Sequence, residues 1–200
     1  GQVFSASAAI VERFGLFTII VLAESILGTV NCIAEIKDKQ AGAWIAFILA
    51  ILIAFLLWSL YFDMTSEQET KKGYTYMQVF IGLHFPLLAS LGVLGACLKI
   101  IMLDLINVLP NNIQWMFCSA LSMILFMIIA LTKVMKEEEE DRAYIMPVSR
   151  QLIYVGIGIL FIPLVGENLT TIPFMGIIAL VLLIPVVTGM RSWVKYKFFQ

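Results

Sequence analysis

Hydrophobic residues occur in six long runs along the chain, and short polar segments separate the runs. The runs cover residues 9–34, 43–62, 76–98, 113–134, 151–166 and 171–190. A helix that crosses a membrane needs about 20 mostly apolar residues, because the hydrocarbon core is about 30 Å thick and each residue advances the helix by about 1.5 Å. The pattern therefore predicts an all-α polytopic membrane protein, with residues 1–200 forming a single bundle of about six transmembrane helices.

The composition indicates the same class of protein. Hydrophobic residues make up 61% of the 200 residues and charged residues only 14%, whereas soluble domains are about half apolar and a quarter charged. The net charge of −1 provides no basic surface for nucleic acid. The three cysteines have neither CxxC spacing nor a neighbouring histidine, so we expect no metal and no cofactor. The expected surroundings are the lipid bilayer.

The placement of Lys and Arg predicts the orientation in the membrane. With six spans, the side opposite the two chain ends holds only Lys37, Lys39 and Lys99 of the 13 Lys and Arg residues. Basic residues concentrate on the cytoplasmic side of membrane proteins. We therefore expect a multi-pass protein of the cell (plasma) membrane with both ends of this chain in the cytoplasm. The longest connection, residues 133–150, includes an acidic run at 137–141, which we interpret as a solvated loop or a frayed helix end, with a cation-binding patch as the alternative.

The first run carries a polar stripe. Arg13, Glu24 and Asn31 fall within about 20° of one line along a helix, because each residue turns the helix by about 100°. Glu24 lies near the middle of the span, where an acidic side chain costs about 2.5–3.5 kcal/mol to insert. We therefore expect the stripe to face the bundle interior or a wet cavity, with Glu24 as an ion or proton site. A hydrogen-bonded clamp between helices is the structural alternative for Glu24.

Three further titratable residues, together with Arg13, are candidates for the same site. Glu12 and Arg13 lie at the cytoplasmic boundary of the first run, where they are a gate pair or an anchor. His84 is the only histidine and lies two residues before Pro86; an imidazole suits a proton relay, and a hydrogen-bonded histidine between helices is the alternative. Asp63 ends the second run, next to aromatic residues typical of a membrane interface.

Small residues at four-residue steps predict close contacts between helices. Membrane helices associate through packing, and small side chains let their backbones approach. Such steps occur in the second and third runs, at Gly42, Ala46, Ala50 and Ala54 and at Gly92 and Ala96.

Motifs for covalent chemistry are missing from the sequence. It contains no Walker loop, no GxSxG, no HExxH and no kinase motifs. We therefore expect that the chain is not an enzyme, with an intramembrane lipid-modifying enzyme as the alternative.

Three segments resemble one known family. They are VERFGLFTIIVLAES at residues 11–25, LLWSLYFD at 56–63 and VFIGLHFPLLASLGVLG at 79–95. In this order they resemble the ERFGLF-IIVLGES signature, the Trp-rich helix ending in YFD and the H-x-P helix of the bacterial low temperature requirement A (LtrA) proteins. The resemblance covers roughly the first half of the chain, and the hydropathy pattern extends it.

The resemblance implies a site map and a longer protein. Its motif positions are Glu12, Arg13, Glu24, Asp63 and His84. Family members are about twice as long, which implies that this chain is a carboxyl-terminal half whose partner is a missing amino-terminal half or a second subunit. Two positions depart from the family pattern: Ala23 stands where a Gly usually precedes the acid, and Ala9 stands where a His often precedes the Glu-Arg pair.

Two functions remain open at this point. The first is an ion- or proton-coupled transporter or channel-like protein of the bacterial inner membrane, with Glu24 as the central site for a small ion or solute and His84 as a relay or gate. The second is a non-transporting membrane scaffold or a sensor of bilayer state or stress. The family name links both to growth at low temperature.

Overall fold

The computed structural model describes residues 8–36, 40–65, 69–103, 108–136, 139–166 and 169–198; the side chains of 8, 139–144, 193 and 195–198 lie outside the description. Six helices make up almost all of it: α1 (Ala8–Glu35), α2 (Ala41–Thr65), α3 (Tyr74–Leu103), α4 (Asn111–Val134), α5 (Glu139–Val165) and α6 (Thr171–Phe198). All six are long and apolar enough to cross a membrane. The predicted all-α bundle of six spans is confirmed.

The helices form a closed ring in the order α1, α3, α4, α5, α6, α2. α2 also contacts α3 and α4 across the ring, so α2 and α4 lie nearest its centre. Helices suit this environment because they satisfy their backbone hydrogen bonds internally. One contiguous core joins the helices through buried side chains such as Ile53, Leu91, Leu125, Leu152 and Ile178.

The connections pair at both ends of the bundle. At the end where α1 begins, the segment before α3 bonds to the segment after α4, and Lys136 N donates to Glu69 O at 2.8 Å. At the opposite end, Leu109 N donates to Leu169 O at 3.1 Å. The connections before α3 and after α4 therefore share one end, and those before α4 and α6 share the other, as six alternating spans require.

Small residues set two of the helix contacts. On α2, Ala46, Ala50 and Ala54 are buried as predicted. On α3 the predicted residues Gly92 and Ala96 are exposed instead, and the close approach occurs at Gly95. A Cβ at Gly95 would lie 3.0 Å from the Ser25 Cβ, so this contact between α1 and α3 requires glycine.

The connection over residues 133–150 is shorter than predicted, because it is helical from Glu139 onward. α5 begins at Glu139, where the sequence placed the start of the fifth span at 151. The apolar face of α5 continues before the span, because Ile145, Val148 and Leu152 are buried at helical spacing. Part of the acidic run, residues 137–138, lies outside the described residues.

Candidate solute site between α1 and α3

α1 packs into the ring through one narrow face. That face consists of residues at steps of three and four: Gly15, Thr18, Leu22, Ser25 and Thr29 are buried. α1 and α3 run parallel, because Phe14 contacts His84 near one end and the Cys32 thiol donates to the Lys99 carbonyl at 3.9 Å near the other.

The polar stripe of α1 lies on its outer face. Arg13, Glu24 and Asn31 are all exposed or partly exposed, and so are Phe17 and Ile20 between them. The sequence predicted that the stripe faces the bundle interior or a cavity. The prediction that the stripe faces the bundle interior is wrong for this six-helix ring. The small and hydroxyl-bearing residues on the opposite side of α1 make the close contacts with the other helices.

The part of the stripe that contains Glu24 and Asn31 borders a pocket between α1 and α3. The pocket has a volume of about 450 Å³, within the range of about 300–1,000 Å³ that small-molecule sites occupy. It is lined by Ile20, Val21, Glu24, Ser25, Gly28, Asn31, Gly92, Gly95, Ala96 and Lys99. Glycines on both helices leave the space between the polar side chains open.

The polar groups of the pocket occupy different depths. Glu24 and Ser25 lie near the middle of the α1 span, Ala9–Glu35. The Ser25 hydroxyl donates to the Val21 carbonyl at 3.0 Å, so its oxygen still has acceptor capacity. Asn31 lies two turns further along α1, on the same face as Glu24. The acid is therefore at the deep end of the pocket and the amide is nearer the outer end.

Lys99 is the basic residue of the pocket, and the sequence pattern gave it no role in a site. It follows Gly92 by seven residues and Gly95 by four, so the three residues share one face of α3. That spacing is a signal in the sequence, but only the contact of α3 with α1 gives it meaning. Among the described residues, neither Glu24 nor Lys99 makes an ion pair.

His84 lies in a closed cluster and does not line the pocket. Its Nδ1 donates to the Phe80 carbonyl at 2.8 Å, because a carbonyl oxygen only accepts. In the neutral ring, Nε2 then accepts a hydrogen bond from the Tyr61 hydroxyl at 3.0 Å. The rings of Phe14 and Phe80 lie with centroids 4.6 and 4.5 Å from the imidazole. The cluster joins α1, α2 and α3, and it is fully buried at His84.

The structure does not bring His84 and Glu24 together. Phe14, the α1 partner of His84, precedes Glu24 by ten residues, which is about 15 Å along a helix. Direct proton transfer between these two side chains is therefore excluded by distance.

Glu12, Arg13 and Asp63 lie away from the pocket, toward the end of the bundle where α1 begins. All three are exposed. The Asp63 carboxylate accepts a hydrogen bond from the Ser59 hydroxyl at 3.0 Å within α2. Of the six residues singled out in the sequence, the pocket contains Glu24 and Asn31.

Comparison with known proteins places the chain in a family. No curated protein and no solved structure matches it. Residues 4–190 match the family described as "Bacterial low temperature requirement A protein (LtrA)". The match contains the pocket, the His84 cluster and all six apolar helices, apart from the end of α6. The chain therefore belongs to the bacterial low temperature requirement A (LtrA) family, as the three sequence motifs predicted.

Proposed function

We propose that this integral membrane protein transports a small ion or solute, and that the pocket between α1 and α3 is its binding site. The supporting observation is the position of Glu24, which lies near the middle of a transmembrane span and borders a pocket of about 450 Å³. A carboxylate at this depth is costly unless it faces water, a cation or a ligand.

The pocket supplies a suitable coordination environment for such a site. The Glu24 carboxylate, the Ser25 hydroxyl and the Asn31 amide all border it. Oxygen donors of this kind bind cations and ammonium groups, and a carboxyl also binds a proton. Coupling of the solute to a proton or an ion would use Glu24 in both roles.

The His84 cluster takes a supporting role in this proposal. His84 has hydrogen-bond partners on both ring nitrogens and aromatic rings on its faces. We infer that it holds α1, α2 and α3 together while the pocket changes its occupancy. The cytoplasmic orientation of both chain ends and the plasma membrane location belong to the same proposal, on the distribution of Lys and Arg.

Flux in proteoliposomes tests the proposal. Glu24→Gln removes the charge and keeps the shape of the side chain. It should abolish uptake from a panel of labelled ions and amino acids, and it should abolish proton flux where the wild type shows it. Glu12→Gln is the matched control, because Glu12 is an exposed acid of the same helix that does not line the pocket. Equal flux in wild type and Glu24→Gln would reject the proposal.

The alternative is a non-transporting scaffold or bilayer sensor. The exposure of the polar stripe on the outer face of α1 favours it, because such a face also suits contact with another subunit. In that case Glu24→Gln would change the oligomeric state in detergent, and wild-type protein would give no flux for any solute. Flux measurements on the wild-type protein alone therefore distinguish the two functions.

A further inference from the structure

We propose that the α1–α3 pocket binds a small zwitterion, with the ammonium group of the ligand at Glu24 and its oxyanion group at Lys99. This inference rests on the proposed function of the pocket and names the class of its solute. The pocket contains one acidic and one basic side chain, and they come from different helices.

Charge balance favours a ligand that carries both signs. Within a membrane, an ionised group that loses water without gaining a partner is unfavourable by several kcal/mol. A simple cation would pair with Glu24 and repel Lys99, and a simple anion would do the reverse. A zwitterion pairs with both side chains and leaves the pocket electrically neutral.

The relative depth of the two charges fits such a ligand. Gly95 lies beside Ser25, so Lys99 begins about 6–9 Å further along the helix axis than Glu24. Helical side chains tilt toward the helix amino terminus. Because α1 and α3 are parallel, Glu24 tilts the same way, so the offset between the two residues is kept at their Cβ atoms and only the greater length of the Lys99 side chain can shorten it. Two charge-assisted hydrogen bonds of about 2.8 Å each then leave room for a ligand whose charges are a few bonds apart.

Neighbouring residues supply space and further hydrogen bonds. Built Cβ atoms at Gly28 and Gly92 meet nothing within 4 Å, so any side chain there would project into open space along the pocket. The Ser25 oxygen can accept from an ammonium group, and the Asn31 amide can bond either end of the ligand. The arrangement limits the ligand to a small body between its two charged groups.

Glu35 is the competing partner for Lys99. It follows Glu24 by eleven residues, which places it on the same line of α1, and it is exposed outside the pocket. An ion pair of Lys99 with Glu35 would leave Glu24 as a simple cation site. Glu35→Gln is therefore the matched control for Glu24→Gln.

Binding to the full chain in phosphatidylglycerol nanodiscs, whose lipid carries no ammonium group, tests the inference. The free probes are glycine, alanine, β-alanine and γ-aminobutyrate, with methylamine and acetate as ligands of one charge. At least one amino acid should bind at least tenfold more tightly than methylamine and acetate. Glu24→Gln and Lys99→Gln should each weaken that binding at least tenfold, and Glu35→Gln should change it less than twofold.

Steric variants provide a second measurement. Gly92→Ala adds a methyl group to the pocket and should weaken amino-acid binding severalfold. Gly158→Ala is its control, because Gly158 also has nothing within 4 Å of a built Cβ and lies on α5, away from the pocket. Equal effects of the two substitutions would contradict the location of the site.

A lipid headgroup has the same chemistry as the free probes. If the source is phosphatidylethanolamine, native mass spectrometry should show it retained by the wild type from mixed-lipid nanodiscs and lost from Glu24→Gln and Lys99→Gln. If the wild type retains phosphatidylethanolamine and both variants lose it, the inference is supported and the ligand is identified as a lipid headgroup.

Two results would overturn the inference. One is methylamine binding as tightly as the amino acids with no effect of Lys99→Gln, which indicates a simple cation site and leaves the transport proposal intact. The other is failure of the wild type to bind any of the amino acids or phosphatidylethanolamine. Zwitterion binding without flux would instead reject transport and retain the binding site.

Discussion

Two polar regions of this protein lie on the same pair of helices and differ in almost every physical respect. Around His84, each polar atom has a partner and aromatic rings exclude other molecules. Around Glu24, the charged side chains border open space and make no ion pair among the described residues. The first arrangement stabilises the bundle, whereas the second leaves charged side chains available to a ligand. Whether the polar atoms of a region already have hydrogen-bond partners therefore distinguishes a structural role from a binding role better than residue type does.

Substitution of His84 should give the largest loss of stability. His84→Leu leaves the buried Tyr61 hydroxyl without its bond to the imidazole, which costs about 1–3 kcal/mol, and removes the side-chain bond to the Phe80 carbonyl, which keeps its helical backbone donor. We expect the free energy of unfolding to fall by about 2–4 kcal/mol, measured by denaturant titration in detergent. His84→Asn keeps a donor and should lie between wild type and His84→Leu. A fully stable His84→Leu protein would show that the cluster is not structural.

Disruption of the close contact between α1 and α3 should give the second largest loss of stability. Gly95→Ala places a methyl group against Ser25 and should destabilise the protein by about 1–3 kcal/mol, because the helices must separate. Gly82→Ala is a control on the same helix, since a Cβ there meets nothing within 4 Å. Thermal unfolding of the two variants side by side measures the difference, and equal melting temperatures would contradict it.

Removal of the Tyr61 hydroxyl should have a smaller effect. Tyr61→Phe leaves the His84 Nε2 atom unpaired and should cost about 1–2 kcal/mol. In the His84→Leu background the same change should cost almost nothing, because the bond is already lost. A double-mutant cycle measures this coupling. Additive effects would mean that the hydrogen bond contributes no stability.

Neutralisation of Glu24 should change stability least. Glu24→Gln removes no partner among the described residues, so the free energy of unfolding should stay within about 0.5 kcal/mol of wild type. The same unfolding titration measures it, with Glu12→Gln as the control. A loss as large as that of His84→Leu would reverse the comparison and make Glu24 the structural clamp.

Much of the fold was predictable because the bilayer imposes a simple rule on sequence. Each apolar run lies in a helix, and each of these helices is long enough to cross the membrane. The first turns of α5 escape this rule because they are too polar to register as a membrane span, although Ile145 and Val148 continue the helical apolar face. Three short motifs were enough to indicate the LtrA family, which the match over residues 4–190 confirms.

The site was only partly predictable. Helical periodicity alone placed Glu24 and Asn31 on one face, and the structure puts both at the pocket. The spacing of Lys99 from Gly92 and Gly95 is visible in the sequence, but nothing in the sequence indicates that this face of α3 meets α1. The Tyr61–His84 bond joins residues 23 positions apart on different helices, which no local pattern reveals.

The sequence by itself determined the six spans, the polar line on α1 and the family, because each depends on composition, on short motifs or on the fixed period of a helix. Only the tertiary structure decided which side of α1 packs inward. Small and hydroxyl-bearing residues such as Ser25 allow the closest approach to Gly95, and this contact turns Glu24 outward to the pocket beside Lys99. Both faces of α1 have the period of a helix in the sequence, and only the packing of α1 against α3 decided which face turns inward.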